Sequence, residues 1–123
     1  MDGYRDLKVW QLGIEISLAT YRVTESLPQR EMYGLTSQMR RAAVSIPSNI
    51  AEGHSRGQTK DFVRFLAISR GSVSELETQL IIAHKLSLVP KDEMERLMKM
   101  LSEESRTLAG LRRSLSAKLR KNY

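Results

Sequence analysis

Apolar residues recur along this chain at intervals of three and four, the period of an amphipathic α-helix, and Pro and Gly break that rhythm at three places. Leu27-Pro28-Gln29 closes a first segment, because the residue before a proline is pushed out of helical backbone. Gly53-His54-Ser55-Arg56-Gly57 closes a second segment, and Val89-Pro90-Lys91-Asp92 parts a third from a fourth. The pattern predicts helices over roughly 5–26, 33–53, 59–87 and 91–118, with Thr59 as N-cap of the third. The third segment carries a sustained heptad seam of Phe62, Leu66, Ser69, Val73, Leu76, Leu80 and Ala83. The second offers Leu35, Met39, Ala42, Ile46 and Ile50, with Arg40 and Arg41 directed away. The fourth offers Met94, Leu97, Leu101, Leu108, Leu111 and Leu115, interrupted at Glu104 or Ser105. No segment alternates as a strand would. The expectation is an all-α fold: one antiparallel up-and-down four-helix bundle over residues 1–119, with 112–123 as a basic C-terminal end.

The first segment has two apolar stripes instead of one. At about 100° per residue, Leu7, Trp10, Ile14, Leu18 and Tyr21 share one face, and Val9, Leu12, Ile16, Ala19 and Val23 share the other. Small residues (Gly13, Ser17, Thr20 and Thr24) fill one flank between them. A bundle of this size buries one stripe, so the second awaits another chain. The stripe Val9, Leu12, Ile16, Ala19 and Val23 is taken as that oligomer interface, with Ala67 and Gly71 of the small-residue row Ala67-Gly71-Ser74-Thr78 as a secondary contact. Pro47, inside the second segment, predicts a kink or a split after Ser45, since it removes a backbone donor and crowds the carbonyl four residues back.

Composition narrows the chemistry. The 123 residues hold no Cys, which excludes disulfides, thiolate catalysis and Cys-ligated metals. The longest aliphatic run, Leu80 to Ala83, is far too short to span a membrane, and charges interrupt the start of the chain, so a cytoplasmic protein without membrane contact is expected. The net charge of +6 is unevenly spread: Arg112, Arg113, Lys118, Arg120 and Lys121 supply five positive charges, leaving fifteen basic and fourteen acidic side chains elsewhere. A terminal basic segment can grip phosphates by counterion release, or simply sit in solvent at a helix end.

No catalytic constellation is visible, and neither an enzyme nor a cofactor is expected. His54 and His84 stand thirty residues apart, and neither has a Glu three residues earlier, the spacing of di-iron bundles. Glu52 and His54 are two residues apart, which on a helix points them in different directions. Gly53-x-x-x-Gly57 is a turn and not a phosphate-binding loop.

Three phrases carry a resemblance. Asp6-Leu7-Lys8-Val9-Trp10-Gln11, the long run Tyr33 to Gly53 that includes Ser45-Ile46-Pro47-Ser48-Asn49-Ile50-Ala51-Glu52-Gly53, and Phe65-Leu66 with Gly71 to Gln79 resemble the bacterial four-helix-bundle family encoded in 23S rRNA intervening sequences, also labelled S23 ribosomal protein. The likeness runs to about Leu88. It implies a homopentameric ring of bundles and a family motif that includes Pro47, Asn49, Glu52 and Gly53. The family is also similar to accessory variability proteins of diversity-generating retroelements, basic pentamers that bind nucleic acid and associate with a reverse transcriptase. That likeness implies RNA or DNA, and a reverse transcriptase or another protein, as partners.

Two functions follow as expectations. One is a homo-oligomeric scaffold that holds RNA or DNA through Arg40, Arg41, Arg56, Arg112, Arg113, Lys118, Arg120 and Lys121. The other is a protein–protein adaptor without nucleic-acid binding, its partner docking on Lys60, Arg64, Ala67 and Gly71.

Overall fold

The computed structural model describes residues 3–121. Among them are four α-helices, α1 (Lys8–Thr24), α2 (Leu35–Ser55), α3 (Thr59–Lys85) and α4 (Lys91–Lys121), with 3-10 turns at Tyr4–Asp6 and Gln29–Glu31 and no strand. Successive helices pack side by side, and α4 returns to α1. Their direction is fixed by paired contacts. Arg40 bonds Thr24, the Ala43 carbonyl accepts from Ser17, and Pro47 lies against Gly13, so α2 runs antiparallel to α1. No described helix is long and apolar enough to cross a membrane.

The heptad seams meet in a single core. Leu66, Ser69, Val73, Leu76, Leu80 and Ala83 of α3 are all fully buried, as are Met39, Ala43, Ile46 and Ile50 of α2. Leu97, Leu101 and Leu108 complete it from α4. A buried aliphatic side chain contributes about 1.5–3 kcal/mol relative to exposure, so these seams are what bind the helices together.

Three expectations need correction. Thr59 is the first helical residue of α3 and Gln58 is its N-cap, with no side-chain bond across the cap. Gly53 lies inside α2, and the helix ends two residues later, where Gly57 takes the left-handed φ of 78° that a glycine adopts without strain. The helix over 91–118 extends through the basic C-terminal end to Lys121, its last cations placed where the helix dipole favours them. The third concerns Pro47: of the kink or split expected there, the split does not occur, and α2 runs unbroken through it. Pro47 cannot donate to the Ala43 carbonyl, but the Ser17 hydroxyl of α1 stands 3.1 Å from it, its proton shared with the Gly13 carbonyl at 3.0 Å. The Ser45 hydroxyl donates to the Ala42 carbonyl at 2.9 Å, and Asn49 Nδ2 donates to the Ser45 carbonyl at 2.7 Å. Backbone groups near the proline thus find side-chain partners, and the helix persists.

Candidate functional site

The two stripes of α1 are reversed from expectation. Val9, Ile16 and Val23 are buried in the core, and Leu12 and Ala19 pack against it, so these five do not form an outer interface. The physical reason lies in the flank of small residues. Gly13, Thr20 and Thr24 are buried and Ser17 half-buried, because α2 approaches along that flank. Thr20 and Thr24 satisfy their hydroxyls on the carbonyls of Ile16 and Thr20, one turn back. That approach turns Val9, Ile16 and Val23 inward.

The uncovered band is therefore Leu18, 45% exposed, and Tyr21, 44% exposed. Val44 of α2, 41% exposed, and the connecting residues Met32 and Tyr33 continue it, Tyr33 being 95% exposed. Tyr21, Met32, Tyr33, Arg40, Arg41 and Val44 line an open cleft of about 680 Å3. Arg40 is held inside it: its guanidinium lies 4.5 Å over the Tyr21 ring and its Nε donates to Thr24 Oγ1 at 2.9 Å. Arg41 faces solvent.

The eight basic residues singled out from sequence do not converge. Arg40 and Arg41 sit near the Thr24 end of α1. Arg56 lies sixteen residues from Arg40, about 24 Å along an α-helix, at the opposite end of the array. There it joins the C-terminal turns of α4, which reach that end because α3 and α4 run antiparallel with Arg70 bonded to Ser105. Arg56 and Arg64 both stack on the Phe65 ring, at 4.8 and 4.7 Å. Arg56 pairs with Glu52 at 2.9 Å, and Arg64 stands 3.9 Å from Asp61. Arg113, Lys118, Arg120 and Lys121 are exposed. Arg112 is half-buried, its Nε enclosed without a hydrogen-bond partner among the described residues.

The motif residues hold helices rather than chemistry. A Cβ on Gly53 would overlap the Cβ of Phe65, so this glycine lets α2 and α3 touch. Pro47 packs on Gly13, Asn49 braces the backbone at Ser45, and Glu52 holds Arg56. Of the secondary contact, Ala67 is half-buried and Gly71 exposed with open space around its Cα. His54 meets the Phe62 ring edge-on, and His84 Nδ1 lies 2.9 Å from the Val89 carbonyl oxygen. No group of three or more His, Asp or Glu among the described residues could hold a metal ion.

Sequence reasoning took Glu104 as a break in the α4 seam. It is instead fully buried. Its Oε2 lies so close to α1 that a Cβ on Gly13 would come within 3.3 Å of it and 3.2 Å of the Pro47 Cβ. Neither carboxyl oxygen has a hydrogen-bond partner among the described residues. Burial, reinforced by the neighbouring charge of Glu103, pushes the carboxyl from 4.5 up to about 8. Glu104 is therefore held mainly in its protonated form at neutral pH. The heptad spacing already sets Glu104, three residues after Leu101 and four before Leu108, on the α4 seam where Glu103 is not; what the pattern does not give is that the carboxyl stays dry there.

The 23S rRNA-intervening sequence protein family matches residues 5–110, most of the chain. The chain belongs to this family. Among solved structures, a protein of unknown function from the S23 ribosomal protein family of Bacteroides thetaiotaomicron shares the fold. It aligns with a TM-score of 0.75 at 19% identity, over 84% of this chain and 96% of that one. No curated protein matches.

Proposed function

We propose that this member of the 23S rRNA-intervening sequence family is a non-enzymatic scaffold. In this reading it is an up-and-down bundle that assembles with copies of itself into a ring, pentameric by the family resemblance, and holds RNA or DNA on its basic end. The observation that carries the reading is the set of exposed apolar side chains Leu18 and Tyr21 on α1 and Val44 on α2, of which Tyr21 and Val44 line one cleft, left open in a single chain. Such a band is stable in water when another surface covers it. Repetition supplies the rest. Five subunits of +6 would carry about +30, and several weak phosphate contacts on one particle act together. Light scattering of the purified protein at micromolar concentration tests the assembly: a single-subunit mass defeats it. RNA titrated at rising salt tests the contact mechanism, which requires log K to fall steeply with log salt.

A protein–protein adaptor is the second reading. It draws support from exposed Ile68 beside the small residues Ala67 and Gly71 on α3. It requires no loss of function when the basic end of α4 is neutralised.

A further inference from the structure

The junction of α1, α2 and α4 contains a group that neither the core nor the basic end explains. Glu104 enters it from α4, the Gly13 backbone from α1, and the Pro47 ring from α2. Three features of the junction are unusual together. The side chain is fully enclosed, neither oxygen has a hydrogen-bond partner among the described residues, and the clearance is too small for even a methyl group on Gly13 without displacement. An ionised carboxylate in such a place must find a cation, be hydrated, or move.

Among the described residues no ion pair reaches it, and the enclosed Nε of Arg112 on α4 has no hydrogen-bond partner there either. From α1, Lys8 reaches Glu103 at 4.0 Å, and Glu15 is exposed. From α2, the residues flanking Pro47 on the core side are Ala43, Ile46 and Ile50, none of them titratable. From α3, Arg70 donates to the Ser105 hydroxyl at 3.2 Å. On α4 itself, Glu103 repels a second negative charge. The joint under stress is also the slightest: α1 and α4 share the least contact of the four adjacent helix pairs.

We propose that Glu104 is a proton-held latch: protonated, it seals the junction between α1 and α4; ionised, it parts them and opens the bundle along that seam. The weakened acidity of the buried carboxyl agrees with this and sets the pH window. The sign follows from proton binding. The folded state keeps the proton up to about pH 8 while the unfolded chain releases it near 4.5, so the folded state is progressively disfavoured across that interval. The unfolding constant then rises about tenfold per pH unit within the window and levels off above it.

The test is chemical denaturation of the wild type and Glu104→Gln between pH 4.5 and 10. The latch requires the wild type to lose stability across the window and the Gln variant to lack that slope; the same slope in both overturns it. Carbon-13 NMR of the glutamate carboxyls in the wild type and in Glu103→Gln serves where Glu104→Gln does not fold. A resonance titrating near pH 8 that persists in Glu103→Gln supports the assignment, whereas carboxyls titrating only at 4–5, or loss of the high resonance in Glu103→Gln, overturns it. Hydrogen-exchange protection, corrected for intrinsic pH dependence, locates the opening. Above pH 8 the amides of α1 must lose protection before those of α2 and α3, and a uniform loss from all four helices removes the latch.

Discussion

The hydroxyl of Ser17 lies 3.1 Å from the carbonyl of Ala43, sharing its one proton with the Gly13 carbonyl at 3.0 Å, and Ala43 is the residue whose carbonyl Pro47 deprives of its amide donor. One helix thereby completes the backbone of another, and the two residues make the proline tolerable in the middle of α2.

That relationship predicts non-additivity. Ser17→Ala leaves the carbonyl unpaired in a part-buried setting and costs about 1–2 kcal/mol of stability. Pro47→Ala supplies the missing amide, so in that background the cost of Ser17→Ala falls by about 1 kcal/mol. Urea denaturation of the four proteins in the cycle measures the coupling, and equal effects in both backgrounds would refute it.

Two glycines in long helices are expected to respond with opposite signs. Gly53→Ala forces a methyl into Phe65 at the α2–α3 contact and destabilises by about 1–3 kcal/mol. Gly71→Ala on α3 meets open space and stabilises by up to about 1 kcal/mol through helix propensity. Thermal melts of the two single variants decide the matter.

The exposed band predicts a clean separation of assembly from folding. Leu18→Asp combined with Val44→Asp leaves helical circular dichroism intact and lowers the scattering mass to one subunit. Ile16→Asp, by contrast, buries an unpaired charge in the core and unfolds the chain.

Deleting the basic end is a poor probe of its charge, because Leu115 of the same turns packs against the core. Replacing Arg113, Lys118, Arg120 and Lys121 with Gln retains the helix. If all four meet phosphates, the slope of log K against log salt falls by about three. An unchanged slope assigns these side chains to solubility alone.

Much of the fold was legible because the seams of α2, α3 and α4 each have one apolar face, which leaves little choice of what to bury. In α1 the choice was real. Val9, Ile16 and Val23 are no more apolar than Trp10, Leu18 and Tyr21, and only the row Gly13, Ser17, Thr20 and Thr24 marks where another helix comes close. Tyrosine and tryptophan also tolerate a half-wet position through their polar tips, which the inward-facing valines and isoleucine lack. Glu104 was illegible for a different reason. A carboxylate breaks a hydrophobic pattern whether it is wet or dry, and its burial depends on the packing of three helices at once. The scatter of the arginines likewise follows from helix length, since Arg40 and Arg56 share one rod and lie at its two ends.

Because α4 stays helical to Lys121, its final cations are mounted on a stiff spar instead of a loose thread. Their spacing and bearing are decided when the chain folds. A polyanion that bound there would meet a ready-made comb of charge, with little freedom left to surrender at the moment of contact.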